Sequence, residues 1–166
     1  MTGQASSEAL ERASEKLLHR TQKELKRLDS TSTSGPTERV GGWTRLGAAV
    51  EMLLQTVTEW VCEQESRDLA DEIRGAVRVA KDPSRVTAGE WLAVLRGVAR
   101  VRAARHARAK VLADDAIARP SVLARAISLR NVAAHEATEP AREEAIRTLR
   151  GLEQLVLRYR RANGWS

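Results

Sequence analysis

Residues 43–61 read WTRLGAAVEMLLQTVTEWV. Trp43, Leu46, Val50, Leu53, Leu54, Val57, Trp60 and Val61 recur at three- and four-residue steps, which places them on one broad stripe of an α-helix. Nothing in this stretch alternates with the two-residue period of a strand. The same helical patterning extends outward in both directions. Four Pro and ten Gly in 166 residues leave few places for a helix to break.

Upstream, Leu10, Ser14, Leu17, Thr21, Leu25 and Leu28 repeat at helical spacing over 6–28, on a narrow and half-polar face. That face predicts weak docking, or pairing with a partner protein. Residues 29–42, DSTSTSGPTERVGG, have the small, polar, Gly- and Pro-containing composition of a linker. Downstream, a shorter helix is expected over 67–81. Thr87 and Glu90 then form a capping box ahead of Trp91, Val94, Leu95, Val98 and Val101, in a helix running to about Ala113. Pro120 suits the first turn of a helix over 120–135. Thr138, Glu139 and Pro140 open the last helix, with Ile146, Leu149, Leu152, Val156 and Tyr159 as its core face. The expectation is all-α: a four- to five-helix bundle over 43–163, with an extra N-terminal helix (1–28) on a flexible linker (29–42).

Composition narrows the function classes. One cysteine, Cys62, excludes an internal disulfide framework and a Cys-rich zinc site, and three isolated His offer no metal-ligand spacing. No cofactor is expected. No apolar run approaches the roughly 20 residues of a membrane span. The first 30 residues lack a secretory apolar region. The expectation is therefore a cytoplasmic protein with no membrane partner. No G-x-S-x-G and no Gly-rich phosphate loop are present.

The net charge is +6, and it is concentrated. Residues 96–130 hold nine basic and two acidic side chains, a local net of +7. Arg100, Arg102, Arg105, His106, Arg108, Lys110 and Arg125 from this window are the candidate nucleic-acid-binding residues. Arginine fits phosphate with two parallel hydrogen bonds, and clustered cations focus a positive field. The alternative is a solvated basic face in an Arg- and Ala-rich chain.

The window ends at Leu129-Arg130-Asn131-Val132-Ala133-Ala134-His135-Glu136. At about 100° per residue, Leu123, Ala126, Ile127 and Ala134 make a packing arc with Arg130 in its middle, and Asn131 and His135 share one edge of it. A cation on a packing face needs an acid, a phosphate or a wet cleft. Arg130 could pair with Glu51 or Glu59, Asn131 with backbone, and His135 could simply favour the helix C-terminus.

The run Arg130-Asn131-x-x-x-His135 resembles the R-x(4–6)-H signature of the HEPN superfamily. Residues 41–160 are similar to a bacterial branch related to the HEPN domain of a yeast transcript-surveillance endonuclease, on the segments WTRLGAAVEML, LRNVAAHE and AIRTLRGLEQL. Ala137 stands where toxins paired with nucleotidyltransferase antitoxins carry Tyr, which points away from that subgroup. The branch often has an aromatic at the position of Ala133. The resemblance implies a metal-independent endoribonuclease acting as a homodimer in a bacterial defence or toxin system. His135 is then the general base, Arg130 the stabiliser of phosphate charge, and Asn131 an orienting residue. It also leaves two non-catalytic roles, an RNA- or nucleotide-binding module and a helical interaction subunit.

Overall fold

A computed structural model describes residues 2–30, 36–75, 87–102, 106–136 and 139–166. Seven helices and no strand occur among the described residues: α1 (Thr2–Asp29), α2 (Pro36–Gln64), α3 (Arg67–Gly75), α4 (Ala88–Arg102), α5 (Ala107–Ile117), α6 (Val122–Glu136) and α7 (Arg142–Ala162). The all-α expectation holds. No described helix is long and apolar enough to cross a membrane.

The stripe of α2 is the centre of the core. Trp43, Leu46, Val50, Leu53, Leu54, Val57 and Val61 are all buried. At about 1.5–3 kcal/mol for each large apolar side chain taken out of water, this one face is the largest single stabilising element. It packs against α1, α4 and α6, while α7 packs on α1, α5 and α6.

The expectation for the N-terminal region needs correction. Helix α1 is built into the bundle, against α2 and α7. Leu10, Ser14, Leu17 and Thr21 have no exposed surface. The polar half of the stripe is buried because its hydroxyls are satisfied. Ser14 Oγ donates to Glu11 O (2.7 Å) and Thr21 Oγ1 to Leu17 O (2.7 Å). Arg160 of α7, itself buried, donates to Ser14 Oγ (2.8 Å), Glu11 O (3.1 Å) and Ser166 O (2.7 Å). Gln22 bonds Glu153, so α1 and α7 run antiparallel. The face expected to meet a partner protein is therefore occupied by the chain's own helices. Residues 36–42, read as linker, are the first two turns of α2.

The single helix expected over 87–113 is two. The capping box forms as expected: Thr87 N–H donates to Glu90 Oε2 (2.9 Å) and Glu90 N–H to Thr87 Oγ1 (3.3 Å). Helix α4 ends at Arg102, and α5 starts after His106 at its N-cap position. The His106 ring is turned inward to Glu65 (2.5 Å) and lies edge-on to Trp60. That inward anchor is incompatible with one straight helix.

Helix α6 starts at Val122, two residues beyond Pro120. Its N-terminus is held by Asp115, which accepts from Ser121 Oγ (3.1 Å), Val122 N–H (3.1 Å) and Leu123 N–H (3.0 Å). Asp115 is buried, so nothing else replaces it. Asp115→Ala removes a cap and leaves buried donors unpaired, at a cost of about 2 kcal/mol. Thermal unfolding followed by circular dichroism should show a midpoint about 4–8 °C lower. An unchanged midpoint would mean that the carboxylate does not hold α6.

At the far end, α7 closes in a Schellman motif. Gly164 takes a left-handed φ of 76°, Trp165 N–H donates to Arg160 O (2.9 Å) and Gly164 N–H to Arg161 O (3.1 Å). The turn returns Trp165 to the bundle, edge-on to Tyr159.

Candidate RNA-cleaving site at the end of helix α6

Five residues of α6 are buried: Leu123, Ala126, Ile127, Leu129 and Ala133. Arg130 lies in the middle of this arc, as its angular position predicts, and is half-buried. Ala134, expected on the packing face, is exposed together with His135 and Glu136. The last turn of α6 thus emerges from the bundle after Ala133, and the polar run sits at that exit.

What lets Arg130 occupy a packing face is a missing side chain on α2. A Cβ built at Gly47 would lie 2.5 Å from Arg130 Cγ, 2.7 Å from Nε and 2.9 Å from Cδ. The arginine stem crosses α2 where only glycine leaves room. Arg130 Nη1 donates to Asn131 Oδ1 (3.0 Å). Arg130 Nε is buried without a hydrogen-bond partner. No carboxylate lies within ion-pair distance of Arg130 among the described residues, Glu51 and Glu59 included. A half-buried guanidinium seated on backbone and without a counter-charge attracts an anion strongly. Asn131 is committed to orienting Arg130. His135, one turn further along, is exposed on the helix end, where the dipole favours its charged form.

Gly47 supplies a specific perturbation. Alanine is the better helix former by about 1 kcal/mol, so Gly47→Ala should leave the bundle folded while evicting the Arg130 stem. If the seat of Arg130 matters, RNA cleavage by Gly47→Ala falls about 10- to 100-fold with little loss of thermal stability. Wild-type rates in a folded Gly47→Ala protein would show that this seat is irrelevant.

The basic window is largely engaged in structure where it is described. Arg96 Nε donates to Ala116 O (2.8 Å) at the end of α5. Arg108 lies over the Trp165 ring, 5.4 Å from its centroid. Burial pushes the neighbouring Tyr159 phenol well above its ordinary pKa, against the opposing pull of Arg108. Lys110 is exposed and paired with Asp114 (2.8 Å). His106 is turned inward to Glu65 and is not available to a phosphate at the surface. Arg125 is exposed and borders a shallow depression with Glu143, Glu144 and Arg147. The side chains of Arg100 and Arg102, the whole of Arg105, and Ala137 and Thr138 lie outside the described residues.

Comparison with known proteins finds no matching family model, no matching curated protein and no matching solved structure. The functional reading therefore rests on the residues themselves. Among the described residues, no group of His, Cys, Asp and Glu is placed to hold a metal ion. Two contributors escape a reading of the sequence alone. Gly47 is visible only as an unexplained glycine inside the best amphipathic helix. Asp115 is visible only as one of two acids in a basic window.

Proposed function

We propose that this chain is a HEPN-type endoribonuclease of a bacterial defence or toxin system. In this reading it acts in the cytoplasm as a homodimer and cleaves RNA without a metal. The observation that carries the reading is Arg130: a half-buried cation without an acidic partner among the described residues, oriented by Asn131 and seated on Gly47, on the same helix end as an exposed histidine.

In this reading the scissile phosphate binds against Arg130. His135 takes the proton of the ribose 2′-hydroxyl, and the 2′-oxygen attacks phosphorus. Negative charge gathers on the phosphoryl oxygens, where the guanidinium stabilises it. The P–O5′ bond breaks, and the leaving oxygen takes a proton from water or from the imidazolium. The products are a 2′,3′-cyclic phosphate and a 5′-hydroxyl. A second copy of the chain brings a second Arg130 and His135 to the same groove.

The test is incubation of purified protein with RNA in EDTA, beside the same strand carrying one 2′-deoxyribose at the cut site. Cleavage of the RNA to a cyclic phosphate, with none at the deoxy position, is the expected result. A non-catalytic RNA-binding module is the second reading. It is favoured by the lack of any hydrogen bond orienting the His135 ring among the described residues. It gives salt-dependent binding and no product.

A further inference from the structure

Nothing on α6 itself fixes the direction of His135. Ala133, two residues before it, is fully buried and is the last core anchor of the helix. The next described residue held by side-chain contacts is Glu139, four residues after the histidine. What holds Glu139 is the end of α1. Arg27 Nη2 lies 2.7 Å from Glu139 Oε1 and 2.9 Å from Glu24 Oε2, and Arg27 Nε donates to Glu24 Oε2 (2.9 Å). Arg39 of α2 reaches the other carboxylate oxygen of Glu139 (3.5 Å). Just beyond, Arg142 donates twice to Leu28 O (3.2 and 3.0 Å) and so caps α1.

The charges alternate, Glu24, Arg27, Glu139, Arg39, and they come from α1, α2 and the α6–α7 connection. Glu24 is buried and its carboxylate lies against the bare backbone of Gly42. Burial alone would lower the Arg27 pKa, but its bonds to Glu139 and Glu24 outweigh that and raise it. Exposed ion pairs contribute little to stability, but this chain of contacts is mostly sheltered and joins three elements.

We infer that Arg27 and Glu139 are positioning residues for His135: α1, which lies outside the span of the HEPN resemblance, clamps the segment leaving α6 and so fixes the imidazole relative to Arg130. The inference rests on reading His135 as the base of RNA cleavage. The clamp touches no substrate, so it acts only through the path of the chain on either side of the histidine.

The test uses Glu139→Gln, which keeps the shape and removes the charge, with Glu139→Asp as the conservative variant and Arg27→Ala as the other half of the pair. Three quantities are read: amide hydrogen exchange of 134–136, the imidazole resonances of His135, and kcat and KM for RNA cleavage. Glu139→Gln should raise exchange of that turn about fivefold, shift the imidazole resonances, and lower kcat about tenfold at constant KM. Glu139→Asp should recover most of each effect. Combining Arg27→Ala with Glu139→Gln should add little to either alone. Unchanged exchange and unchanged imidazole resonances in folded Glu139→Gln overturn the clamp, whatever the activity. A wild-type protein that cleaves no RNA overturns the catalytic reading instead, and the exchange and resonance measurements still decide the clamp.

Discussion

Deletion of residues 1–29 yields a chain that no longer unfolds cooperatively. Helix α1 buries Leu10 and Leu17 completely and Ala13 and Leu28 nearly so. At about 1.5–3 kcal/mol for each large apolar side chain, the two central leucines alone contribute roughly 3–6 kcal/mol. The deletion also strips Arg160 of Ser14 Oγ and Glu11 O, two of the groups that satisfy it. Breaking the partners of a buried charge costs about 3–5 kcal/mol. Together these match the whole stability of a typical domain, about 5–15 kcal/mol. Urea titration of the deletion variant should show a broad, featureless loss of helix rather than a single transition. Leu17→Ala grades the same effect, costing about 2–5 kcal/mol with cooperativity kept. If the deletion variant melts sharply near the wild-type temperature, α1 is an appendage and the clamp on Glu139 loses its anchor.

This outcome separates two meanings of a narrow stripe. The Ser and Thr positions of α1 make it look poorly buried because composition counts hydroxyls as surface. In the structure those hydroxyls bond carbonyls one turn back, and Ser14 also receives the buried Arg160. The information that resolves this lies 146 residues away in sequence, beyond the reach of local periodicity. Helix type and the main core are legible because they depend on spacing: the α2 stripe, the Thr87–Glu90 box and the buried face of α7 all follow from it. The break between α4 and α5 is not legible, because it depends on His106 meeting Glu65 across the fold. In a basic run, an inward histidine looks like one more cation.

The same distinction applies to the site. Arg130 falls where its angle on the helix puts it, on the packing arc and half-buried. Geometry on one helix cannot show what makes that position tolerable, which is the absence of a side chain at Gly47. Ala134 shows the converse error. Its angle places it inward, but α6 has by then outrun its packing partners, and angular position says nothing about where a neighbour ends. The charge window shows a third. Its net charge is correct as arithmetic, yet Arg96, Arg108 and Lys110 are spent on a carbonyl, a tryptophan ring and an aspartate. The positive field available to RNA is smaller than the count suggests, which shifts the weight of recognition onto Arg130 and the exposed Arg125.

His135→Ala should therefore have the largest effect on function of any single exposed substitution. Loss of a positioned general base costs about 10²–10⁴-fold in rate. The side chain is exposed and forms no hydrogen bond with the described residues, so stability should change by less than about 0.5 kcal/mol. RNA affinity should also survive, because phosphate is held by Arg130 and not by the imidazole. Arg130→Ala differs in kind. It removes charge stabilisation from the transition state and the contact that holds the ground state, so it lowers kcat and raises KM together. It also empties the seat on Gly47, so a modest fall in stability accompanies it. The comparison is made with single-turnover cleavage in EDTA, RNA binding by filter retention, and thermal melts on the same preparations. Full cleavage by a clean preparation of His135→Ala would remove this histidine from the chemistry. Unchanged RNA affinity in Arg130→Ala would remove the phosphate from the cleft, leaving the unpaired guanidinium without the anion that best accounts for it.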